Sequence, residues 1–593
     1  MSRELRDVQA LAGQPVTRRP RRAAVLASVA LALLFAGWVD SASATTFKVN
    51  NRRDKVDANI GDGRCDADLN KSGKQCTLRA ASQEANSDKD SIDTIKVPKG
   101  LYKLTIPSDS CGDDESCGDI DLDGKVSLVG AGPFKAVIDA RRAKDRGLEL
   151  HPNTFGCKPP PKHFPDYGDY CLLTGIGVKN GNPTGGFSEG DGGGMLLNGT
   201  LLVTHVAAWR NNGRDGGGIN LSCTCYKFNH VTTNHNKARA NGGGLYMFGD
   251  TITHMIQVDV KGNRALGTEE SDCCGDGGGI FFQGNTLYDV KHMYVKDNIA
   301  EDRGGGMFAN GDTDWFHWVK FNHNKAKGDG GGGIYLSGTY FFFGFEVHEN
   351  RAPHGGAHGG GIFVDGATNT LTRGTIAHNS VGQGGDGGGF YAFGTDYWAN
   401  DTVTGNRAPG GRGGGIFNDS SSEYLDNVTL ASNRAPTGAN LWNDAYTAFL
   451  NTIVAYGSRH NCDGGGTYDD RGHNLDSGHS CHFDRPSDLK RTDPRLLGLR
   501  DNGNFSLTRA LRRGSPAIDR GKDRKLHWTL IDAGFGSVYP YVYGNGFPED
   551  MGCAETNLDD ERDDQRLVRR PQRKHCDIGA FEARRSRGRG SDL

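Results

Sequence analysis

The chain has 593 residues, and 89 of them are glycine, about twice the usual share. Glycine together with the 35% of hydrophobic residues gives an ordinary globular apolar fraction, which argues against bulk disorder, and no Gly-X-Y period makes it collagen. The formal net charge is −3, so there is no basic excess to hold nucleic acid by counterion release.

Residues 1–44 read as a secretory signal. Arg18, Arg19, Arg21 and Arg22 precede an apolar run over 23–36, and Ala42-Ser43-Ala44 offers small residues for cleavage. The run is too short for a comfortable membrane span, so a retained anchor is the lesser alternative. No second hydrophobic span follows, and no transmembrane segment is expected once the signal is removed. The cysteines agree with export. They occur as near neighbours, Cys65/Cys76, Cys111/Cys117, Cys157/Cys171, Cys462/Cys481 and Cys553/Cys576, with Cys223 and Cys225 about two repeats before Cys273 and Cys274. An even set in an exported chain predicts disulfides, of undetermined connectivity; zinc is the rival, but the spacings do not suit it.

Next comes Asp119-Ile120-Asp121-Leu122-Asp123-Gly124, which fits the first half of a calcium loop. Asp119, Asp121 and Asp123 are therefore candidate calcium ligands, although Gly130 stands where an EF-hand needs its bidentate Glu. A strand with outward-facing acids explains the same residues.

From about residue 190 to 445 the chain repeats. A glycine cluster followed by an apolar residue recurs at Met195, Ile219, Leu245, Ile280, Met307, Ile334, Ile362, Phe390, Ile416 and Leu441. In phase with it runs an asparagine marker: Asn236, Asn263, Asn298, Asn324, Asn350, Asn379, Asn406 and Asn433. Short Val/Thr/Phe-rich stretches separate the markers, with no helical period. A right-handed parallel β-helix with one coil per repeat explains both. Equivalent residues then stack about 4.8 Å apart, the asparagines bond in a ladder, and glycine serves the turns and close backbone approaches. The inward columns include Met255, Val290, Phe316, Phe342, Leu371, Trp398 and Leu425.

The motif Gly-Gly-Gly-Ile-Tyr and Phe321-Asn322-His323-Asn324 resemble the GGAI and FxxN repeats of polymorphic outer membrane proteins. Phe47-Lys48-Val49-Asn50, Gly61-Asp62-Gly63-Arg64-Cys65 and Cys76-Thr77-Leu78-Arg79-Ala80-Ala81 resemble the CSLREA domain that precedes bacterial β-helices, with Thr77 and Ala80 as departures. Asp493-Pro494-Arg495-Leu496, Ser515-Pro516-Ala517-Ile518-Asp519 and Cys576-Asp577-Ile578-Gly579-Ala580-Phe581-Glu582 are similar to a choice-of-anchor end region. The resemblance implies an exported, all-β chain: a cap over 45–118, a β-helix over 119–455, a C-terminal cap over 456–583 and a basic tail over 584–593. Disulfide-clipped caps would cover the open strand edges. It implies no single activity.

Two columns carry the functional candidates. Nine residues before each ladder asparagine come His254, Asp289, Trp315, Phe341, Thr370, Tyr397 and Tyr424. If this column faces outward, Trp315, Phe341, Tyr397 and Tyr424 offer flat faces to sugar rings or a partner; if inward, they are core. Four residues before the asparagines come Asp259, Tyr294, Lys320 and Glu346, with His292 and Arg373 two further back. For a polysaccharide lyase, Arg373 or Lys320 would neutralise a uronate, His292 or Lys320 would take the C5 proton, and Tyr294 would protonate the leaving oxygen. An exposed mixed-charge face with cross-coil ion pairs of little energetic weight is the preferred reading of this column. His354 and His358 in a glycine loop are a weak metal candidate. The leading expectation is an exported, adhesin-like surface or extracellular protein that binds a polysaccharide, a cell-surface glycan or a surface protein. A polysaccharide lyase is the alternative, and a structural surface component the second.

Overall fold

The computed structural model describes residues 44–584 apart from 89–90, 112–115, 152–170, 185–189, 250, 269–274, 285, 288, 524–530, 533–537 and 540–562. The described chain is nearly all β, with most of its strands in one 34-stranded sheet and a 7-stranded sheet of two-residue strands beside it. Every strand pairing in these two sheets is parallel, and partners come from successive repeats, as in Met195–Trp209 on Ile219–Asn234 and Met307–Asn322 on Ile334–His348. This is the expected right-handed parallel β-helix.

Both repeat markers hold their register. Met195 pairs with Ile219, Ile219 with Leu245, and the series continues without a slip to Leu441, all fully buried. The three glycines before each marker serve different needs, as the Met307 coil illustrates. Gly304 has a φ of +62°, in the left-handed region. A Cβ on Gly305 would lie 2.3 Å from the Lys325 carbonyl carbon, and one on Gly306 would lie 2.6 Å from the Gly333 oxygen. The first glycine turns the chain, and the other two let the next coil pass.

The asparagine ladder is continuous and buried. Each side-chain Nδ2 donates to the Oδ1 of the next asparagine at about 3.0 Å, from Asn236 through Asn433. Asn211 extends it at one end, and Asn440 and Asn461 at the other. A second ladder lies one residue after the glycine marker. The rings of Tyr246, Phe281, Phe308, Tyr335, Phe363, Tyr391 and Phe417 stack with centroids 4.8 to 5.2 Å apart. Neighbouring rings consume one another's faces here, so the stack serves cohesion, at about 0.5–1.5 kcal/mol per pair beyond burial.

The interior is not wholly apolar. Asp314, Tyr340, Asn369, Asp396, Glu423 and Thr447 stack inward on successive coils and are buried. Asn369 Nδ2 donates to Asp396 at 2.8 Å, and the Trp398 indole N–H donates to Glu423 at 2.6 Å. Burial pushes the Asp396 carboxyl up to about 6, and burial with the adjacent Asp396 raises Glu423 well above the usual range.

At the N-terminal end, the helix Leu78–Ser87 packs into the same core. Its buried Arg79 donates to Asp54 and to the carbonyls of Cys117, Gly118 and Asp119, and Glu84 accepts from the Gly61 and Gly63 amides. Arg79 and Glu84 thus tie the helix to two loops of the cap. Disulfides join Cys65 to Cys76 and Cys111 to Cys117 at this end, and Cys462 to Cys481 near the other. Cys223 and Cys225 bond to each other within one strand. Cys171 and Cys576 are also disulfide-bonded, whereas Cys157, Cys273, Cys274 and Cys553 lie outside the described residues, as do residues 1–43 of the expected signal. Among the described residues no helix is long and apolar enough to cross a membrane.

Candidate functional site: an outward aromatic column and the covered face beside it

Strand alternation decides the facing of the aromatic column. Phe316, Phe342, Leu371, Trp398 and Leu425 are at most 2% exposed, and the residue before each points the opposite way. Trp315, Phe341, Thr370, Tyr397 and Tyr424 are accordingly half-buried on the outer surface, in register coil by coil. Trp315 and Phe341 stack at 4.1 Å with 10° between planes, and Tyr397 and Tyr424 at 4.8 Å with 18°. Thr370 stands between the two pairs. Two coil spacings, about 9.6 Å, therefore separate the Phe341 strand from the Tyr397 strand, with only a threonine at the floor.

A polar cluster lies at the head of this column. Asp289 occupies the position above Trp315, its Oδ2 bonded to Lys291 Nζ at 2.9 Å and facing His254 Nδ1 at 3.3 Å. Burial works to raise the Asp289 pKa, but the His254 and Lys291 contacts outweigh it, and the carboxyl is held below its usual range. On the next coil, burial pushes His317 down to about 4, so its imidazole is neutral at physiological pH. Lys291 and His317 were not among the sequence candidates; they form the column seven residues before the ladder asparagines, the signal that would have found them.

The proposed lyase residues are placed differently from one another. Asp259, Tyr294, Lys320, Glu346, Thr375, Thr402 and Thr429 do form one column. Tyr294 is 40% exposed, and Lys320 lies on the adjacent coil. Lys320 Nζ donates to Glu346 at 3.1 Å and sits 4.5 Å from the Phe505 ring centre. His292 and Arg373 share a left-handed corner column, with φ of 55° and 58°, but Trp318 and Gly344 stand between them. Three coil spacings, about 14 Å, separate the two. Arg373 is 3% exposed, with its guanidinium 4.8 Å from the Phe343 ring centre.

The C-terminal segment accounts for this burial. Phe505 packs against Trp318 and Tyr294, Ser506 donates to the Arg373 carbonyl, and Gln565 binds Thr375 and Thr402. The Ala580 amide reaches Thr429. From Lys320 to Thr429 the end region lies over the column.

The acidic candidates also regroup. Asp119 and Asp121 come together with Glu149 of the next coil, their ligand oxygens within 4.8 Å of one another, and Asp123 is not in the group. The pairing of Asp121 with Glu149 across coils replaces the expected spacing along one strand. Arg146 lies among them, its Nε 3.9 Å from Asp119 and its guanidinium against Glu149. Burial and the Asp121 charge push Asp119 up to about 7 in spite of Arg146. Arg146 thus already supplies a positive charge to this carboxylate group. His358 accepts from the Asp386 amide and packs on Tyr391.

No family model and no curated sequence matches the chain. Among solved structures it is similar to pectate lyase Pel9A, at 11% identity over 91% of this chain and 98% of that one, with a TM-score of 0.27. It is also similar to the A-module of the mannuronan C-5 epimerase AlgE6 from Azotobacter vinelandii, at 12% identity over 70% of this chain and 94% of that one, with a TM-score of 0.28.

Proposed function

We propose that the protein is an exported, adhesin-like β-helix protein that binds glycans along the column from Asp289 to Tyr424. The observation that carries this reading is the outward placement of two stacked aromatic pairs with Thr370 between them. A pyranose ring packs about 4 Å from an aromatic face, so the gap of two coil spacings suits one sugar held between the pairs. Asp289, Lys291 and His254, at the head of the column, supply the hydrogen-bonding groups that fix a sugar's orientation. The outer-surface half-burial of the rings fits ligand contact better than core packing.

The lyase reading is second. Its cationic column is covered by the C-terminal segment, and Lys320 is engaged by Glu346. Binding should be measured on a panel of neutral and acidic polysaccharides, with and without calcium, while unsaturated products are followed in the same samples. Trp315→Ala and Tyr397→Ala should each weaken binding about 10- to 100-fold without changing the fold. Unchanged affinity in both variants would refute the assignment. Product formation abolished by Lys320→Ala would replace it with the lyase.

A further inference from the structure

One side-chain cluster lies outside both columns, at the corner just before the asparagine ladder. The residues preceding Asn324, Asn350 and Asn379 are His323, Glu349 and His378, each in the left-handed conformation with φ of 55° to 56°. Their amides are pinned to the following coil, His323 to the His348 carbonyl, Glu349 to that of Ala377 and His378 to that of Thr404. Three side chains therefore project from one corner at a regular rise of about 4.8 Å, and the buried ladder beneath holds them. His348, next to Glu349, joins them as a fourth.

The four groups already touch. The His323 imidazole contacts the Glu349 carboxylate, whose Oε2 lies 3.9 Å from His348 Nδ1. His348 Nε2 and His378 Nδ1 face each other at 3.1 Å. Two ligands on a tetrahedral zinc ion at bonds of about 2.05 Å are about 3.3 Å apart, so these two nitrogens already stand at nearly that separation. Gly405, below His378, helps set this geometry: a Cβ there would lie 2.7 Å from the imidazole Cδ2, so the glycine lets that edge pack down while Nδ1 faces the cluster.

We propose that His323, His348, Glu349 and His378 form a binding site for a zinc-type divalent transition metal across three consecutive coils. Three imidazoles and one carboxylate are the donor set such ions favour, whereas calcium and magnesium require mostly oxygen. His323 and His378 are two coil spacings apart, about 9.6 Å, and an ion bound by an imidazole Nε2 lies up to about 6 Å from that residue's Cα, so an ion at the level of Glu349 is within reach of both. The donors run as a chain of contacts, and closing them on one ion takes side-chain rotation. His323 and Glu349 have room for it, at 46% and 43% side-chain exposure. Arg407 and Arg509 lie near His378 and oppose added positive charge, while Glu349 and Glu346 offset them. Elsewhere on the corners, His205 and His230 stack at 4.3 Å, but the next residue in that column is Gln257, which supplies no carboxylate.

The test is calorimetric titration of the purified protein, without a polyhistidine tag and stripped with a chelator, using zinc chloride. One equivalent of saturable binding is expected, unaffected by millimolar calcium. His348→Gln combined with His378→Gln should weaken it by at least about 100-fold, and His205→Gln with His230→Gln should leave it unchanged. Far-UV circular dichroism checks that the variants keep their fold. Cobalt(II) loaded into the unaltered protein gives a readout that needs no variant: the strong visible bands of a four-coordinate ion support the site, and a weak six-coordinate spectrum refutes it. Absence of saturable zinc binding, or binding unchanged in the His348/His378 variant, overturns the proposal.

Discussion

Asn350 sits in the middle of the buried ladder, and its side chain makes four hydrogen bonds. Its Oδ1 accepts from the Asn324 backbone N–H at 2.9 Å and from Asn324 Nδ2 at 3.0 Å. Its Nδ2 donates to the Phe321 carbonyl at 2.8 Å and to Asn379 Oδ1 at 3.0 Å. Asn350→Ala removes all four and leaves the buried Asn324 N–H without its acceptor. About 1 kcal/mol for each of three ordinary hydrogen bonds, and 1–3 for the stranded buried Asn324 N–H, puts the cost at about 4–6 kcal/mol. Asn350→Asp should cost a similar amount, because an ionised carboxylate cannot donate to Phe321 or Asn379. A solenoid's stability is largely a sum of neighbour terms, so the loss should be local. Hydrogen exchange read by mass spectrometry should show lost protection in peptides spanning 319–327 and 345–353, and none in 195–210. The exposed Asn310→Ala is the control. Protection unchanged around Asn324, or lost evenly along the chain, would refute the view that the ladder joins coil to coil.

Gly306→Ala should cost about 3 kcal/mol or prevent soluble expression, because its Cβ would meet the Gly333 oxygen at 2.6 Å and Asn324 Nδ2 at 2.9 Å. Gly498→Ala, with nothing within 4 Å, should be silent in the same denaturation assay. The buried carboxyls of Asp396 and Glu423 have folded pKa values above their unfolded ones, so the folded state holds more protons between about pH 4 and those values. Stability should therefore fall as pH rises through about 6 and beyond, and Asp396→Asn with Glu423→Gln should flatten that slope in melts from pH 4 to 9. Cys65 and Cys76 close a loop with a sequence separation of 11, so Cys65→Ser with Cys76→Ser should destabilise the N-terminal cap by about 3 kcal/mol, read as earlier proteolysis there.

The periodic features were legible because a solenoid repeats its demands. Each coil needs a turn, two close backbone passages and a bonded corner, so glycines and Asn324-type residues recur in phase, and alignment on the asparagines recovers the register of Phe316 with Phe342 or Trp315 with Phe341. The stack from Tyr246 to Phe417 lay one residue beyond the glycine marker and was equally readable from the sequence. The buried Asp396 and Glu423 were not, since a carboxylate in a strand ordinarily marks the solvent side. Nor could the repeat reveal that Phe505, Ser506 and Gln565 return over Lys320, Arg373 and Thr375, because contacts more than a hundred residues apart leave no period.

By itself, then, the sequence determined the coil, its register and the columns, because stacking at one strand spacing converts spacing along the chain into neighbourhood in space. Tertiary structure alone decided which columns stay open and which groups meet. Alternation about buried Phe316 and Trp398 turned the aromatic column outward, and the returning C-terminal segment covered the cationic one. The pairing of coils drew Glu149 to Asp119 and Asp121, and His348 to His378, since side chains meet across the strand spacing, which a spacing along one strand does not show.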